Sequence, residues 1–273
     1  MISTRSTLVR VALAALVGWA AIGHGMVALG FAAALPAILF AGRPSRRIVF
    51  ASATAYYAAA ARASITGAAS FFPHGGLVVG ICFWSASSLV LGASWSFIGP
   101  SSSSPRRSLI WRLPLIYVVQ TLPPLGLIAW ASPLAAAGIF FPGAGITGVF
   151  ALVIMQVLAL LLALPDIAKS ARYAIGALAL CAVLLNATTT PPPAPRGWIG
   201  IDTHYVPSPG LSLAAVEHNY RLAHRAKILA AHGYTHILLP ELAAGRWLVG
   251  TKIVWTNAVS QMPVGTTVYL GAQ

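Results

Sequence analysis

The run Thr188-Thr189-Thr190-Pro191-Pro192-Pro193-Ala194-Pro195 separates two kinds of protein within one chain. Consecutive prolines fix φ and favour an extended polyproline helix, so this stretch reads as a stiff linker. Residues 1–190 consist of apolar segments with eleven Lys and Arg and a single acid, Asp166. Residues 196–273 hold six Lys and Arg, three of the four acids and five of the seven histidines. The organisation expected is a multi-span membrane domain over 1–190, a Pro-rich linker over 191–196, and a water-exposed domain over 197–273.

The whole chain of 273 residues is 58% hydrophobic and 8% charged. Soluble domains carry about 25% charged residues. Together with a mean hydropathy of +0.81, this excludes a disordered chain and argues against an ordinary soluble enzyme. The lipid bilayer is the first expected partner. The net charge of +13 could suit nucleic acid. The basic residues, however, sit in small clusters between apolar runs, and no basic face with interleaved aromatics appears. Direct nucleic-acid binding is not expected.

Seven apolar segments can be drawn in the first part, at about 7–22, 26–41, 48–63, 77–99, 109–130, 145–165 and 172–187. About seven spans are therefore expected. Gly23-His24-Gly25 makes the first two a tight hairpin, and 131–143, short and rich in Gly and Pro, reads as an interfacial or re-entrant piece. With the N-terminus in the cytoplasm, alternate loops carry Arg43, Arg46 and Arg47, then Arg106, Arg107 and Arg112, then Lys169 and Arg172. Adding Arg5 and Arg10 gives ten basic residues inside against one, Arg62, outside. The positive-inside rule is met, and the chain after residue 190 is expected outside the cytoplasm.

The C-terminal part alternates strand and helix. Trp198–Val206 is β-rich, and Ser212–His232 reads as an amphipathic helix with Leu213, Val216, Tyr220, Ala223 and Lys227 on one face. Thr235–Pro240 is a short apolar strand, 246–261 a second helix, and Thr266–Gly271 a third strand. The βαβαβ order implies a parallel sheet. Such a sheet needs both faces covered. Three strands and two helices cannot do that, so the segment reads as an incomplete extracytoplasmic α/β domain. Glu241 follows Leu238-Leu239-Pro240 at the carboxyl end of a strand, where α/β sheets place ligands. The position also suits a solvated loop glutamate, and spacing alone leaves both readings open.

The run Ile237-Leu238-Leu239-Pro240-Glu241 resembles the nitrilase (carbon–nitrogen hydrolase) superfamily. A multi-span region followed by such a domain resembles apolipoprotein N-acyltransferase. The continuation Glu241-Leu242-Ala243-Ala244-Gly245-Arg246-Trp247 is similar to the TraB-type conjugal transfer proteins of that group. The resemblance implies an incomplete α/β nitrilase-like fold in the C-terminal part and a bacterial inner-membrane location with a periplasmic C-terminal segment. It also implies catalysis by a Glu general base, an oxyanion-stabilising Lys and a Cys nucleophile. Glu241 matches the Glu. Lys252 follows too soon to match the Lys, and Cys82 and Cys181 lie in apolar segments. The chain therefore reads as a catalytically incomplete fragment.

The partners implied are an acyl-donor lipid and proteins of a conjugation apparatus, with no cofactor and no metal. His204, His218, His224, His232 and His236 lack accompanying Cys, Asp or Glu at ligand spacing and read as surface histidines. A reading of another class is a non-catalytic membrane scaffold, its outer segment a docking module for the transfer apparatus.

Overall fold

Helix Leu109–Thr121 stops where Leu122-Pro123-Pro124 begins, because proline restricts the residue before it and supplies no N–H. Local chemistry of this kind, rather than apolar length, sets most boundaries in the first part. A computed structural model describes residues 4–72, 74–100, 102–190, 193, 195–203, 213–240 and 243–272. The chain forms two units, Met1–Thr189 and Thr190–Gln273.

The first unit is helical. Helix α1 (Thr4–Ala21) ends at Gly23 and Gly25, whose φ values of 92° and 91° suit glycine. A 3-10 segment, Met26–Ala34, leads into α2 (Leu35–Phe40). Then come α3 (Arg46–Ala60), α4 (Ala63–Phe71), α5 (Gly76–Ile98) and α6 (Leu109–Thr121). The short α7 (Ala137–Phe140), α8 (Gly145–Leu161) and α9 (Pro165–Thr188) complete it.

These lengths overturn the expectation of seven spans. Among the described residues, two helices, α5 and α9, are long and apolar enough to cross a membrane. At 23 and 24 residues each reaches about 35 Å, more than the ~30 Å hydrocarbon core. A third span exists if Pro133–Phe140 and Gly145–Leu161 count as one, across a bend of 113°. Segment 7–22 forms one helix, α1, that is not among these candidates, and the remaining apolar segments are shortened or broken. Segment 26–41 is part 3-10, 48–63 yields a helix of 15 residues rich in Ala, Tyr, Ser and Thr, and 109–130 yields one of 13 residues. Thirteen residues cover only about 20 Å.

Helix α3 packs between α1 and α5. Glycines permit the approach. A Cβ on Gly18 of α1 would lie 2.2 Å from the Tyr56 carbonyl oxygen, and one on Gly92 of α5 would lie 2.2 Å from Thr54 Oγ1. Small residues at helix contacts let backbones close without a gap. Tyr56, Tyr57, Trp95, Leu113 and Ile116 are fully buried beside them. Outward, α5 and α9 show bare aliphatic surface, with Val78, Leu180 and Val183 at least 60% exposed. Such surface on a helix of spanning length suits lipid contact.

In the second unit, β1 (Trp198–Gly200), β2 (His236–Leu238) and β3 (Thr267–Tyr269) form a parallel sheet in that order. Trp198 pairs with His236, and Leu238 with Tyr269. One face, through Ile199, Ile237 and Val268, packs on α10 (Leu213–Ala231) and α11 (Val249–Ser260). The other carries a stack of Trp198, His236 and Tyr269, with Trp198 and His236 ring centroids 4.4 Å apart. Three strands of three residues with two helices make a small one-sided sheet. The incomplete α/β nitrilase-like fold class expected from the sequence is not what this unit forms.

The face of α10 also differs from its pattern. Leu213, Val216 and Tyr220 are exposed, while Asn219, Leu222, Ala223, Ala226 and Ala230 are buried. Alanines on the inner face bring the helix close to the sheet. The buried stripe therefore follows the small residues rather than the large ones.

Candidate functional site

Basic side chains in the first unit converge on one end. The Arg43 guanidinium donates to the Ser104 carbonyl at 2.7 Å, tying the loop before α3 to the loop before α6. Arg107 pairs with Asp166, tying the latter loop to the start of α9. Arg10 of α1 donates to the carbonyls of Ile38 and Ala41 at the end of α2. Arg112 donates to Ile98 and Gly99 at the end of α5, at 3.1 and 3.0 Å. Arg62 lies at the opposite end of α1, donating to Trp19 and Ile22, and to Ala59 at the end of α3. Arg10, Arg62 and Arg112 thus cap helix C-termini, where unpaired carbonyls and the helix dipole favour a cation.

A cavity opens at this basic end. It is lined by the buried Phe40, Pro44, Leu109 and Leu160 and, at the mouth, by the exposed Gly42 and Arg43 and the half-buried Ser104, with a volume of about 160 Å³. Arg43 has φ 55°, the left-handed region, and no other non-glycine among the described residues does so. For a side-chain-bearing residue this costs about 1–3 kcal/mol. The sequence placed Arg43 in a basic loop after the second apolar segment; the strain and the cavity were not readable there.

Behind the cavity runs a buried polar chain. Trp95 Nε1–H donates to Tyr57 Oη at 3.0 Å, and Tyr57 Oη–H donates to Gln120 Oε1 at 3.1 Å. Gln120 Nε2 donates to Ser94 Oγ at 2.8 Å. In parallel, Tyr117 donates to Gln156 Oε1 at 2.8 Å, and Gln156 Nε2 donates to the Ala33 carbonyl at 3.1 Å. These residues join α3, α5, α6 and α8. Their polar atoms are matched to one another, which is the condition for burying them in an apolar bundle. Scattered Tyr and Gln in apolar segments gave the only hint.

Glu241, the candidate catalytic residue from sequence, lies outside the described residues, as does His204. The residues around Glu241 are fixed. Leu239 N–H donates to the Tyr269 carbonyl, and Ala244 N–H donates to the Gly271 carbonyl. Asn219, buried in α10, donates to the Ala244 carbonyl at 3.1 Å and accepts from Trp255 Nε1 at 2.8 Å. Asn219 thereby holds the chain just beyond Glu241 against both helices; a lone Asn in a helix pattern did not single it out. Lys252 lies on α11, and Cys82 and Cys181 are exposed on α5 and α9. Among the described residues no three of His, Cys, Asp and Glu come together as metal ligands. His236 stacks on Trp198, with Tyr269 at 6.1 Å, and His232 contacts the Ile228 carbonyl through Nδ1.

No family model matches the chain, so nothing supports the nitrilase superfamily assignment. No solved structure matches it either. The chain is 28% identical over 248 residues to the probable conjugal transfer protein TraB of Sinorhizobium fredii, over 89% of this chain and 59% of that protein. It therefore spans less than two thirds of the length of the curated relatives it matches. With conjugal transfer protein TraB of Agrobacterium fabrum it shares 30% identity over 270 residues, 94% of this chain and 59% of that protein.

Proposed function

We propose that this chain serves plasmid conjugation as a membrane-embedded component that holds other proteins of the transfer apparatus. The similarity to conjugal transfer protein TraB along 94% of the chain carries the reading. The bare aliphatic surfaces of α5 and α9 support a place in the bilayer. Both helices have basic residues at the same end, since Arg112 caps the end of α5 and Lys169 and Arg172 lie in the first turns of α9. The positive-inside rule then favours that end in the cytoplasm of a bacterial inner membrane, with the chain after α9 in the periplasm. The exposed aromatic face of the sheet, with Tyr269 and Leu238 about 40% exposed, suits protein docking. Deleting the gene from a self-transmissible plasmid should reduce transfer, and the intact gene supplied in trans should restore it. Undiminished transfer would refute the proposal.

A second reading keeps Glu241 in a chemical role, as a general base that takes a proton from an amine or water attacking a lipid acyl ester and returns it to the lipid alcohol that leaves. The support is its place directly after Pro240, where Leu239 and Ala244 are pinned to β3 and its following residues. Glu241→Gln in the full plasmid system separates the two. Transfer lost despite normal membrane levels of protein favours chemistry; transfer unchanged favours the scaffold.

A further inference from the structure

The cavity at the basic end unites features that point to a ligand with an acidic head and an aliphatic tail. Its inner wall is Phe40, Leu109 and Leu160, all buried. Its rim is made of small residues, Ala37, Ala159 and Ala163, which leave the opening unobstructed. At the mouth stands Arg43, exposed, with one guanidinium nitrogen bound to the Ser104 carbonyl and donors left over. A second guanidinium is close, because Arg10 Nη2 lies 3.7 Å from where a Cβ on Gly42 would be.

Positive charge at this mouth is not neutralised locally. Asp166, the single acid in residues 1–195, is paired with Arg107. Arg46 and Arg47 open the next helix, both exposed. Arg43 holds a left-handed backbone conformation that disfavours every residue except glycine, and strain of this kind concentrates at ligand clamps. A free inorganic anion would use the arginines and leave the apolar wall unfilled. A cavity of about 160 Å³ is of the size that an engineered apolar cavity of ~150 Å³ uses to take benzene, so it accommodates a short stretch of acyl chain.

We propose that this cavity binds one anionic phospholipid, its phosphate on Arg43, with the capping Arg10 adding positive charge nearby, and part of an acyl chain against Phe40, Leu109 and Leu160. Basic pockets between membrane helices bind acidic lipid head groups by this combination. The inference rests on the membrane placement proposed above.

The test uses the full chain, extracted in mild detergent and incubated with equimolar phosphatidylglycerol and phosphatidylcholine, with retained lipid read by native mass spectrometry. One phosphatidylglycerol should be retained in preference to phosphatidylcholine. Arg43→Gln should weaken retention about fivefold, one basic contact's share. Ala163→Phe, which narrows the opening from an exposed position, should weaken it without removing charge. Arg172→Gln, at the same end but off the cavity, should leave it unchanged. Displacement of the lipid by millimolar inorganic phosphate alone, or equal retention by all four proteins, would overturn the proposal. Membrane fractionation separates its failure from that of the placement. A membrane-bound chain that retains no lipid refutes the cavity assignment only, whereas a chain recovered in the soluble fraction refutes both.

Discussion

Replacing Tyr57 with Phe removes one oxygen atom from the centre of the first unit. That oxygen accepts from Trp95 Nε1–H and donates to Gln120 Oε1. Trp95 is 0% exposed and Gln120 is 1% exposed, so water cannot replace it. The variant strands one donor and one acceptor, each costing about 1–3 kcal/mol when buried without a partner, for a total of about 2–6 kcal/mol. Tyr56→Phe is the matched control. Its hydroxyl is buried in the adjacent position but makes a single bond, to the Ala131 carbonyl at 3.0 Å, and the expected cost is about 1 kcal/mol. Tyr117→Phe also strands a single acceptor, Gln156 Oε1, and should cost about as much as Tyr56→Phe. Unfolding in mixed micelles of increasing denaturing detergent, followed by tryptophan fluorescence, gives the three values. Bilayer-embedded hydrogen bonds average only about 0.6 kcal/mol in mutant cycles, so the order matters more than any single figure. If Tyr57→Phe destabilises no more than Tyr56→Phe, the two-sided bonding of Tyr57 is wrong.

Other substitutions probe the packing and the placement. Gly92→Val should destabilise the first unit by about 1–3 kcal/mol, because the new side chain meets Thr54 on α3; detergent unfolding reads the loss, and a neutral result would refute the close contact. Asn219→Ala should leave Trp255 Nε1–H unpaired and free the Ala244 carbonyl. Amide exchange should accelerate in α11 and around 243–244, with α3 and α5 unaffected. Cys82 and Cys181 face outward from α5 and α9, so a membrane-impermeant maleimide should label them in detergent and fail to label them in intact membranes. Labelling in intact membranes would refute the placement of these two helices in the bilayer.

How much of this was readable from the sequence differs between the two units. The proline run marks a change of composition, and the alternation after it put strands at 198–200, 236–238 and 267–269 within longer β-rich stretches. Apolar length misled in the first unit. Hydropathy treats segment 48–63 as a candidate span, yet α3 buries Ser52, Tyr56 and Tyr57 against other helices and derives its place from those contacts. Proline limited 109–130 to 13 helical residues, a signal present in the sequence but outweighed there by the apolar run. The polar chain through Tyr57, Gln120 and Gln156 links residues 63 and 39 positions apart in sequence, and no local pattern encodes such pairings. For Glu241 the sequence supplied a position at a strand end, and the geometry of its neighbours is all that the fold adds.

The arginines show most plainly what a fold adds to a count. Ten basic residues against one is a statement about charge per loop, and it treats every arginine alike. Hydrogen bonding divides them. Arg10 and Arg112 are engaged on helix-end carbonyls, and Arg107 is engaged on Asp166. Arg62, the lone exception to the charge rule, bridges the ends of α1 and α3, with its guanidinium carbon 5.5 Å from the Trp19 ring centre. Its presence at the far end therefore reflects capping of two helices and does not weigh against the orientation. Arg43 differs from all of these. It binds one loop carbonyl from a strained backbone and stands over an apolar cavity. Capping accounts for the arginines whose guanidinium groups close a helix end; it does not account for one held in a left-handed conformation at a cavity mouth. That difference separates a residue needed to fold the bundle from one positioned to meet something outside it, and Arg43→Gln against Arg62→Gln would express it as lost lipid retention in the first case and lost stability in the second.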